Sequence, residues 1–237
     1  SILAAARNLA LLHLAMSGIK TSEKENYLAE DVQKAFEKHN RELKHVKSFL
    51  VKRKNKSPFE VKYLNCCGAF YEEAVEAAKE LEELDWRALF VENVERGNVL
   101  HGNYTYHNIL MGGNGARQTG ERRDAEQIAT VNFDKSVFGI QVYDLYQYVR
   151  KVMEKNNWQY NIGAKILDAY EEVRALSQRE RRLLAVLLAY PEKFWKITNY
   201  YYNSRKSLIP QKNMEKLEML QVQQKPKKEF LQKLCHF

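Results

Sequence analysis

The sequence has few residues that interrupt or cross-link a chain. Its 237 residues include only 4 prolines, 10 glycines and 3 cysteines, which leaves few breaks in helices and excludes fibrous and disordered classes. Cys66, Cys67 and Cys235 show no metal-ligand spacing, which indicates structural thiols in a reducing compartment. No apolar run approaches the roughly 20 residues that span a bilayer, and no signal-peptide pattern precedes the first helix. The composition therefore predicts a mostly helical domain without a membrane span.

Three short motifs stand out in the middle of the chain. Residues 101–110 read HGNYTYHNIL, residues 131–134 read VNFD and residues 143–145 read YDL. Apolar runs predict three short strands around them, at 98–100, 108–111 and 127–131. The glycine-rich stretch 112–120 predicts a mobile turn, since it lacks the pattern of a phosphate-cradling loop. Two loops that leave neighbouring strands can bring oxygen ligands together, as phosphoryl transfer requires.

The three motifs resemble those of the kinase-fold family of aminoglycoside and choline phosphotransferases, written H-G-D-x-x-x-x-N, D-F-[DE] and D-[LI]. The resemblance is greatest to the CotS-like spore coat branch of that family. It implies an α+β, predominantly α-helical fold, namely the carboxyl-terminal lobe of a protein-kinase-like phosphotransferase with a few short strands around the catalytic loop. It also implies a spore coat role in an endospore-forming bacterium.

The resemblance assigns a catalytic set of three residues. His101 would brace the catalytic loop, Asn103 would stand at the position of the catalytic base, and Asp144 would tie the backbone of the loop down. An amide cannot take a proton near neutral pH, and a positioned base contributes about 10² to 10⁴ in rate. Asparagine at residue 103 therefore predicts a protein that is inactive or weakly active.

A second set of residues corresponds to the cofactor and metal ligands of the family. Asn108 would be the secondary metal ligand, Asn132 the primary one, and Asp134 the trailing acidic residue. The family uses ATP and Mg²⁺, and Mg²⁺ is usually held by one or two carboxylates plus phosphate oxygens. Because residue 132 is an asparagine, these ligands predict a metal site that is weak or absent. Whether the chain uses ATP and Mg²⁺ or no cofactor stays open.

The family pattern also predicts the organisation of the chain. Residues 1–237 would form one carboxyl-terminal lobe, with a helical insertion at about 22–84, the catalytic and metal loops at about 98–145, and a helical subdomain at about 146–237. Nothing before residue 98 resembles the glycine-rich loop or strand lysine of an amino-terminal nucleotide lobe. Such a lobe is therefore expected to be absent from this chain. Either it is missing from this chain because it was left out, disordered or cleaved, or the protein naturally consists of this lobe alone. The first is the expectation, since a lone lobe would expose an apolar cleft face.

Local signals predict where several helices begin. Ser22-x-x-Glu25 resembles a capping box that opens a long charged helix, and a second long helix is expected from about Pro58 to Leu84. Asp144 is expected to cap a helix, and Ser177-x-x-Glu180 to open another. The aromatic cluster of residues 190–195 and 199–203 is expected to be core, with a substrate pocket as the alternative.

Three functions remain in competition, and the net charge of +8 bears on the last of them. The sequence favours a kinase-fold spore coat protein with degenerate catalytic residues and a structural, assembly or ligand-binding role. Its partners would be coat proteins and any upstream lobe, and it would be made in the mother-cell cytoplasm before it reaches the coat. The first alternative is an active ATP-dependent phosphotransferase for a small molecule. The second is a basic binding module, although no nucleic-acid motif accompanies the charge.

Overall fold

The computed structural model describes residues 2–112, 128–203 and 210–234. The helices are α1 (Ile2–Ala15), a 3-10 helix (Lys24–Tyr27), α2 (Val32–Lys52), α3 (Pro58–Glu83), α4 (Trp86–Glu95), α5 (Val142–Lys155), α6 (Tyr160–Glu171), α7 (Gln178–Ala189), α8 (Glu192–Asn203) and α9 (Pro210–Leu234). The strands are β1 (Val99–Leu100), β2 (Ile109–Met111), β3 (Ile128–Thr130) and β4 (Val137–Phe138). The expectation of a predominantly helical fold with a few short strands is confirmed.

Two of the sequence-based predictions cannot be compared with the structure. The mobile turn predicted at 112–120 lies outside the described residues from residue 113 on, and so does Cys235. Within the described ranges, none of the helices combines the length and the apolar character that crossing a bilayer needs.

The chain divides into two compact units, each assembled from two separate stretches. The first unit contains residues 1–29 and 86–184, and the second contains residues 30–85 and 185–237. Helix α7 begins in the first unit and ends in the second. The three sequence motifs all belong to the first unit.

Two antiparallel strand pairs position the motifs in the first unit. Strand β1 pairs with β4, and β2 pairs with β3, with Ile109 opposite Thr130. The strands predicted at 98–100, 108–111 and 127–131 are thereby confirmed. Because β2 and β3 are antiparallel, the start of β2 lies beside the end of β3. Residue 108 and residue 131 therefore meet at this end of the pair, where a backbone hydrogen bond joins Val131 N to Asn108 O at 3.0 Å.

Helix α1 supports this strand pair, since it packs against α6 and also contacts strand β3. The buried residues of α1 recur on one face: Ala5, Ala6, Leu9, Ala10 and His13. Four of them are apolar, as expected for a helix that presents one stripe to a core. The fifth, His13, is a polar side chain with no exposed surface, so it must find hydrogen-bond partners inside the unit.

The predicted capping box at Ser22 and Glu25 is wrong. Only the short 3-10 helix forms there, and the long helix α2 begins ten residues later, at Val32, with the side chain of Asp31 accepting a hydrogen bond from Lys34 N at 3.0 Å. The reason lies in the pairing of the intervening chain. Leu28 forms an isolated bridge with Phe138, and Ala29 N donates to Phe138 O at 2.9 Å. This pairing requires extended backbone, which excludes a helix through residue 28.

The prediction that Asp144 caps a helix is also wrong, whereas the one for Ser177 is confirmed. Helix α5 begins at Val142, and Asp144 lies in its first turn, where its carboxylate accepts hydrogen bonds from another segment. By contrast, Ser177 Oγ accepts from Glu180 N at 3.2 Å, and Glu180 Oε2 accepts from Ser177 N at 2.9 Å. This reciprocal pair is a capping box at the start of α7.

In the second unit, α2 and α3 form an antiparallel helical hairpin. Asn40 Nδ2 donates to Ala74 O at 3.2 Å, and Arg53 pairs with Glu60 at 2.7 Å, so residue numbers rise along α2 as they fall along α3. Helix α3 opens on a capping box between Ser57 and Glu60, with Pro58 as its first residue. The second long helix, predicted from about residue 58 to 84, is therefore confirmed.

The core of the second unit is largely aromatic. Tyr190 stacks on Phe36 with ring centroids 3.7 Å apart, and Phe194 stacks on Phe70 at 4.5 Å. Tyr190 and Phe194 are about 1% exposed, so the interpretation of this part of the cluster as core is confirmed. Later aromatic residues, Trp195 and Tyr202, line a cavity of about 570 Å³ in the same unit.

Candidate functional site

The carboxylate of Asp144 holds the start of the catalytic-loop segment, residues 101–108. One carboxylate oxygen accepts a hydrogen bond from His101 N at 2.6 Å, and the other accepts from Gly102 N at 2.9 Å. Asp144 has no exposed surface. Hydrogen bonds to a buried carboxylate are short and strong, and losing the acceptor would leave two backbone donors unpaired. The position of this segment therefore depends on Asp144.

His13 supports Asp144 from helix α1, a role that the sequence analysis did not assign. Its Nε2 lies 3.3 Å from Asp144 Oδ2, and its Nδ1 lies 2.7 Å from the hydroxyl of Tyr170 on α6. Burial lowers the pKa of His13, although the hydrogen bond and charge of Asp144 act in the opposite direction. Burial also raises the pKa of Tyr170, so its hydroxyl keeps its proton. Burial thus favours the neutral imidazole, in which Nε2 donates to the carboxylate of Asp144 and Nδ1 accepts from the hydroxyl of Tyr170.

A signal for His13 is present in the sequence but is weak. The residue follows Leu9 and Ala10 at the helical spacing of the apolar face of α1. A polar side chain at such a position indicates a buried hydrogen-bonding role. It does not indicate which partners lie opposite, since Asp144 and Tyr170 follow His13 by 131 and 157 positions in sequence.

His101 connects the two loops that the motifs define. A backbone carbonyl can only accept, so His101 Nε2 donates to Val131 O at 3.0 Å, which leaves Nδ1 to accept from Asn103 N at 3.2 Å. Its ring also lies against Phe133, with centroids 4.9 Å apart. A buried imidazole of defined tautomer therefore fixes the backbone on both sides of the site.

Gly102 is required by close packing between the same two loops. Its φ is +75°, and a Cβ there would lie 2.1 Å from the carbonyl oxygen of Lys135. An L-residue at this φ is strained even without the contact. The histidine-glycine step at 101–102 therefore lets the second loop approach the first.

The three asparagines predicted at the working positions are joined by two hydrogen bonds, in which Asn108 and Asn132 use their side-chain amides and Asn103 uses its backbone oxygen. Asn108 Nδ2 donates to the backbone oxygen of Asn103 at 2.9 Å, and Asn132 Nδ2 lies 2.8 Å from Asn108 Oδ1. Because the Asn103 carbonyl only accepts, the amide nitrogen of Asn108 faces it and the amide oxygen faces Asn132. Asn132 must then supply the donor. Its φ of +65° is a conformation that asparagine tolerates better than most residues.

The predicted metal ligands are brought together only in part. Asn108 and Asn132 are in direct contact, and Asp134 lies two residues farther along, exposed, in a turn. Across the described parts of the chain, no group of three or more histidine, cysteine, aspartate or glutamate side chains could hold a metal ion. The side-chain oxygen of Asn108 accepts the hydrogen bond from Asn132, and Mg²⁺ prefers carboxylate and phosphate oxygens. In this arrangement the donor set does not fit a magnesium ion.

A comparison with solved structures identifies the fold. The chain is similar to an aminoglycoside phosphotransferase from Alicyclobacillus acidocaldarius subsp. acidocaldarius DSM 446, with a TM-score of 0.83 and 19% sequence identity. The match covers 99% of this chain and 65% of the other. No protein-family model matches the sequence, and no curated protein is similar enough to count as a match. The chain therefore has the fold of this aminoglycoside phosphotransferase, and it spans less than two thirds of that structure's length.

Proposed function

We propose that this protein is a kinase-fold binding or assembly protein that does not transfer phosphoryl groups. The observation that carries the proposal is the hydrogen bond of 2.8 Å between the amides of Asn132 and Asn108. An aspartate at residue 132 would turn an oxygen toward the oxygen of Asn108, an arrangement that a cation between them would stabilise. Asparagine places an N–H in that gap instead, so the pair is stable without a metal ion.

The position of the base supports the same conclusion. Asn103 follows His101 and Gly102, whose backbones are fixed by Asp144, so its position in the loop is well defined. Its amide cannot accept a proton from a substrate hydroxyl at neutral pH. The loss of a positioned base alone corresponds to about 3 to 5 kcal/mol of activation free energy.

For the biological role we propose spore coat assembly, on the likeness of the three motifs to the CotS-like branch. The protein would be made in the mother-cell cytoplasm and would dock onto coat proteins. The basic residues Lys47 and Lys52 on exposed parts of α2, and Lys54 and Lys56 beyond it, favour an acidic coat partner. Retention of purified coat proteins should then fall when these lysines are reversed to glutamate. If the protein instead retained nucleic acid and not coat proteins, and released it at moderate salt, the basic-module alternative would be favoured.

One observation favours an active phosphotransferase as the second candidate. Asp144 and His101 hold the catalytic-loop segment in place through hydrogen bonds of 2.6 to 3.2 Å. In that case Asn108, Asn132 and Asp134 would hold Mg²⁺ and ATP, and a small molecule with a hydroxyl group would be the phosphoryl acceptor. This candidate requires that the amide pair opens when nucleotide binds.

The decisive experiment is nucleotide binding and turnover by the protein made from its whole natural reading frame. Titration calorimetry with ATP and Mg²⁺, and an ATPase assay, would be run on the natural protein and on Asn103→Asp/Asn132→Asp. We expect no turnover in the natural protein and measurable ATP hydrolysis in the double variant. The matched control is Asn55→Asp/Asn161→Asp, which adds the same charge at two exposed sites. Turnover of a sugar, amine or choline-like compound by the natural protein at enzymatic rates would overturn the proposal.

A further inference from the structure

A cavity of about 380 Å³ lies beside strand β2 in the first unit. Its walls come from the start of α1, from the segment of residues 104–111, and from one face of α5. The volume falls in the range of about 300–1,000 Å³ that is typical of small-molecule sites. The residues assigned above to catalysis or metal binding do not line it.

The cavity and the exposed side of β2 are different surfaces. Ile109 and Met111 line the cavity, whereas Leu110 between them does not and is 53% exposed. Successive side chains of a strand point to opposite faces. A ligand in the cavity would therefore contact the face of β2 opposite to Leu110. One residue of that face, Ile109, directly follows Asn108 in sequence.

The interior of the cavity presents almost only carbon. Two tyrosine hydroxyls in its wall are already used, since Tyr104 donates to Ala5 O and Tyr148 donates to Ile2 O, each at 2.7 Å. Burial raises the pKa of Tyr104 to about 12, and burial also raises that of Tyr148. Both groups stay protonated and satisfied. The cavity therefore suits an apolar body and offers it few polar partners.

The charged residues that line the cavity within the described part of the chain are both lysines. Lys151 and Lys155 stand one helical turn apart on α5, and none of the described residues that line the cavity is acidic. The ammonium group of Lys155 lies 4.3 Å from the centre of the Tyr106 ring, which positions it without neutralising its charge. An anionic group at this edge would meet the ammonium group of Lys155, and its apolar remainder would fill the interior.

We propose that the cavity binds a small amphipathic anion, with an apolar chain or ring system inside and a carboxylate at the lysine edge. The site is separate from the amide cluster, and the proposal holds whether or not the protein is a phosphotransferase. Dodecanoate, used as a monomer below its micellar concentration, is a suitable probe because it has both features and no other functional group.

The first test needs no variant. Titration calorimetry would compare dodecanoate with 1-dodecanol and dodecylamine, which have the same chain with a neutral or positive end. We expect saturable binding of dodecanoate, about five to ten times tighter than either analogue. Methyl NMR signals of Ile109 and Val152 should shift, and those of Leu183, which does not line the cavity, should not. Equal binding of the three compounds, or binding only to anionic vesicles, would overturn the proposal.

The second test fills the cavity or removes a charge. Val152→Phe places a larger side chain in the wall and should weaken dodecanoate binding at least about tenfold. Lys155→Gln should weaken it about threefold to fivefold and leave 1-dodecanol unaffected. The controls are Val91→Phe and Lys165→Gln, two exposed positions away from the cavity. Unchanged affinity in the folded test variants would contradict the proposal, and the ligand series decides the matter if Val152→Phe does not fold.

Discussion

The buried and exposed sides of the catalytic-loop segment differ in their hydrogen bonding and in how much of the stability depends on them. On the buried side, Asp144, His13 and Tyr170 form one connected hydrogen-bond network that fixes the backbone of His101 and Gly102. On the other side lie the two asparagines that the sequence analysis assigned to the base and the primary metal ligand, namely the half-buried Asn103 and the exposed Asn132. An unpaired polar group costs far more inside a protein than at its surface. The fold therefore depends on the buried network, whereas substitutions on the exposed side should cost little stability.

Asp144→Ala should have the largest effect on stability. It removes the acceptor of two backbone donors and the partner of His13. Asp144, His13 and His101 are buried, and Gly102 is half-buried. We expect a loss of about 3 to 5 kcal/mol in the free energy of unfolding, measured by urea denaturation. Asp168→Ala, at an exposed position on α6, should change it by less than about 0.5 kcal/mol. Similar effects of the two substitutions would refute the contrast between buried and exposed sides.

Gly102→Ala should come next. The new methyl group would adopt an unfavourable φ and would displace the backbone of Lys135, which we expect to cost about 2 to 3 kcal/mol. Gly68→Ala is the matched control, because Gly68 lies within α3 and its added Cβ would meet nothing within 4 Å. There alanine should stabilise the protein by about 0.5 to 1 kcal/mol. Thermal unfolding of the two variants should thus shift in opposite directions.

The motifs predicted more of the exposed side than of the buried side. Apolar runs were sufficient to predict the strands β2 and β3, because such runs are local in sequence. The family resemblance implied that Asn108 and Asn132 lie near each other and that Asp144 ties the backbone of the loop down, and the structure has the corresponding hydrogen bonds. His13 and Tyr170 could not be assigned, since their contacts with Asp144 and each other join three helices that are far apart in sequence. A histidine among apolar residues predicts burial, but partner choice depends on tertiary packing.

The incorrect helix starts have the same origin. Ser22-x-x-Glu25 satisfies the local rule for a capping box, yet Leu28 pairs with Phe138, 110 residues later, and this pairing keeps the chain extended. Asp144 satisfies the local rule for a cap as well. Its carboxylate instead accepts hydrogen bonds from His101 and Gly102. Local signals failed in both cases where a distant backbone segment offered stronger hydrogen bonds.

The pH dependence of the free energy of unfolding tests the contribution of one member of the buried network, His13. Burial lowers the pKa of His13 below 6.5, so at pH values between the native pKa and 6.5 the unfolded chain binds a proton that the native protein does not. Acid therefore favours unfolding in this range, by up to about 1.4 kcal/mol per pH unit. His13→Gln should remove this part of the slope in urea denaturation between pH 7 and pH 5.

The control for this measurement is His45→Gln, an exposed residue of α2, which should leave the slope of the natural protein in place. His39 also has a pKa that burial lowers, but it is present in every variant, so its contribution cancels in the comparison. A slope in His13→Gln equal to that of the natural protein would mean that the imidazole titrates alike in both states.

Asn132→Asp should have the smallest effect on stability and the most informative one. Aspartate tolerates the φ of +65° at this position about as well as asparagine does, so the backbone stays unstrained. The donor to Asn108 is lost, and two oxygens then face each other. Since residue 132 is exposed, we expect a loss of about 1 kcal/mol in the presence of EDTA.

Millimolar Mg²⁺ should then restore stability to Asn132→Asp and leave the natural protein unchanged, as measured by thermal unfolding. A cation that binds only the native state raises stability by mass action, and a carboxylate beside the Asn108 oxygen would give it a ligand pair. Asn161→Asp adds the same charge at an exposed site on α6 and should show no such response. If Mg²⁺ stabilises the natural protein as much as the variant, the amide pair already opens for a metal ion. The exposed side would then retain a metal site, and the proposal that the amide pair takes the place of a metal ion would be wrong.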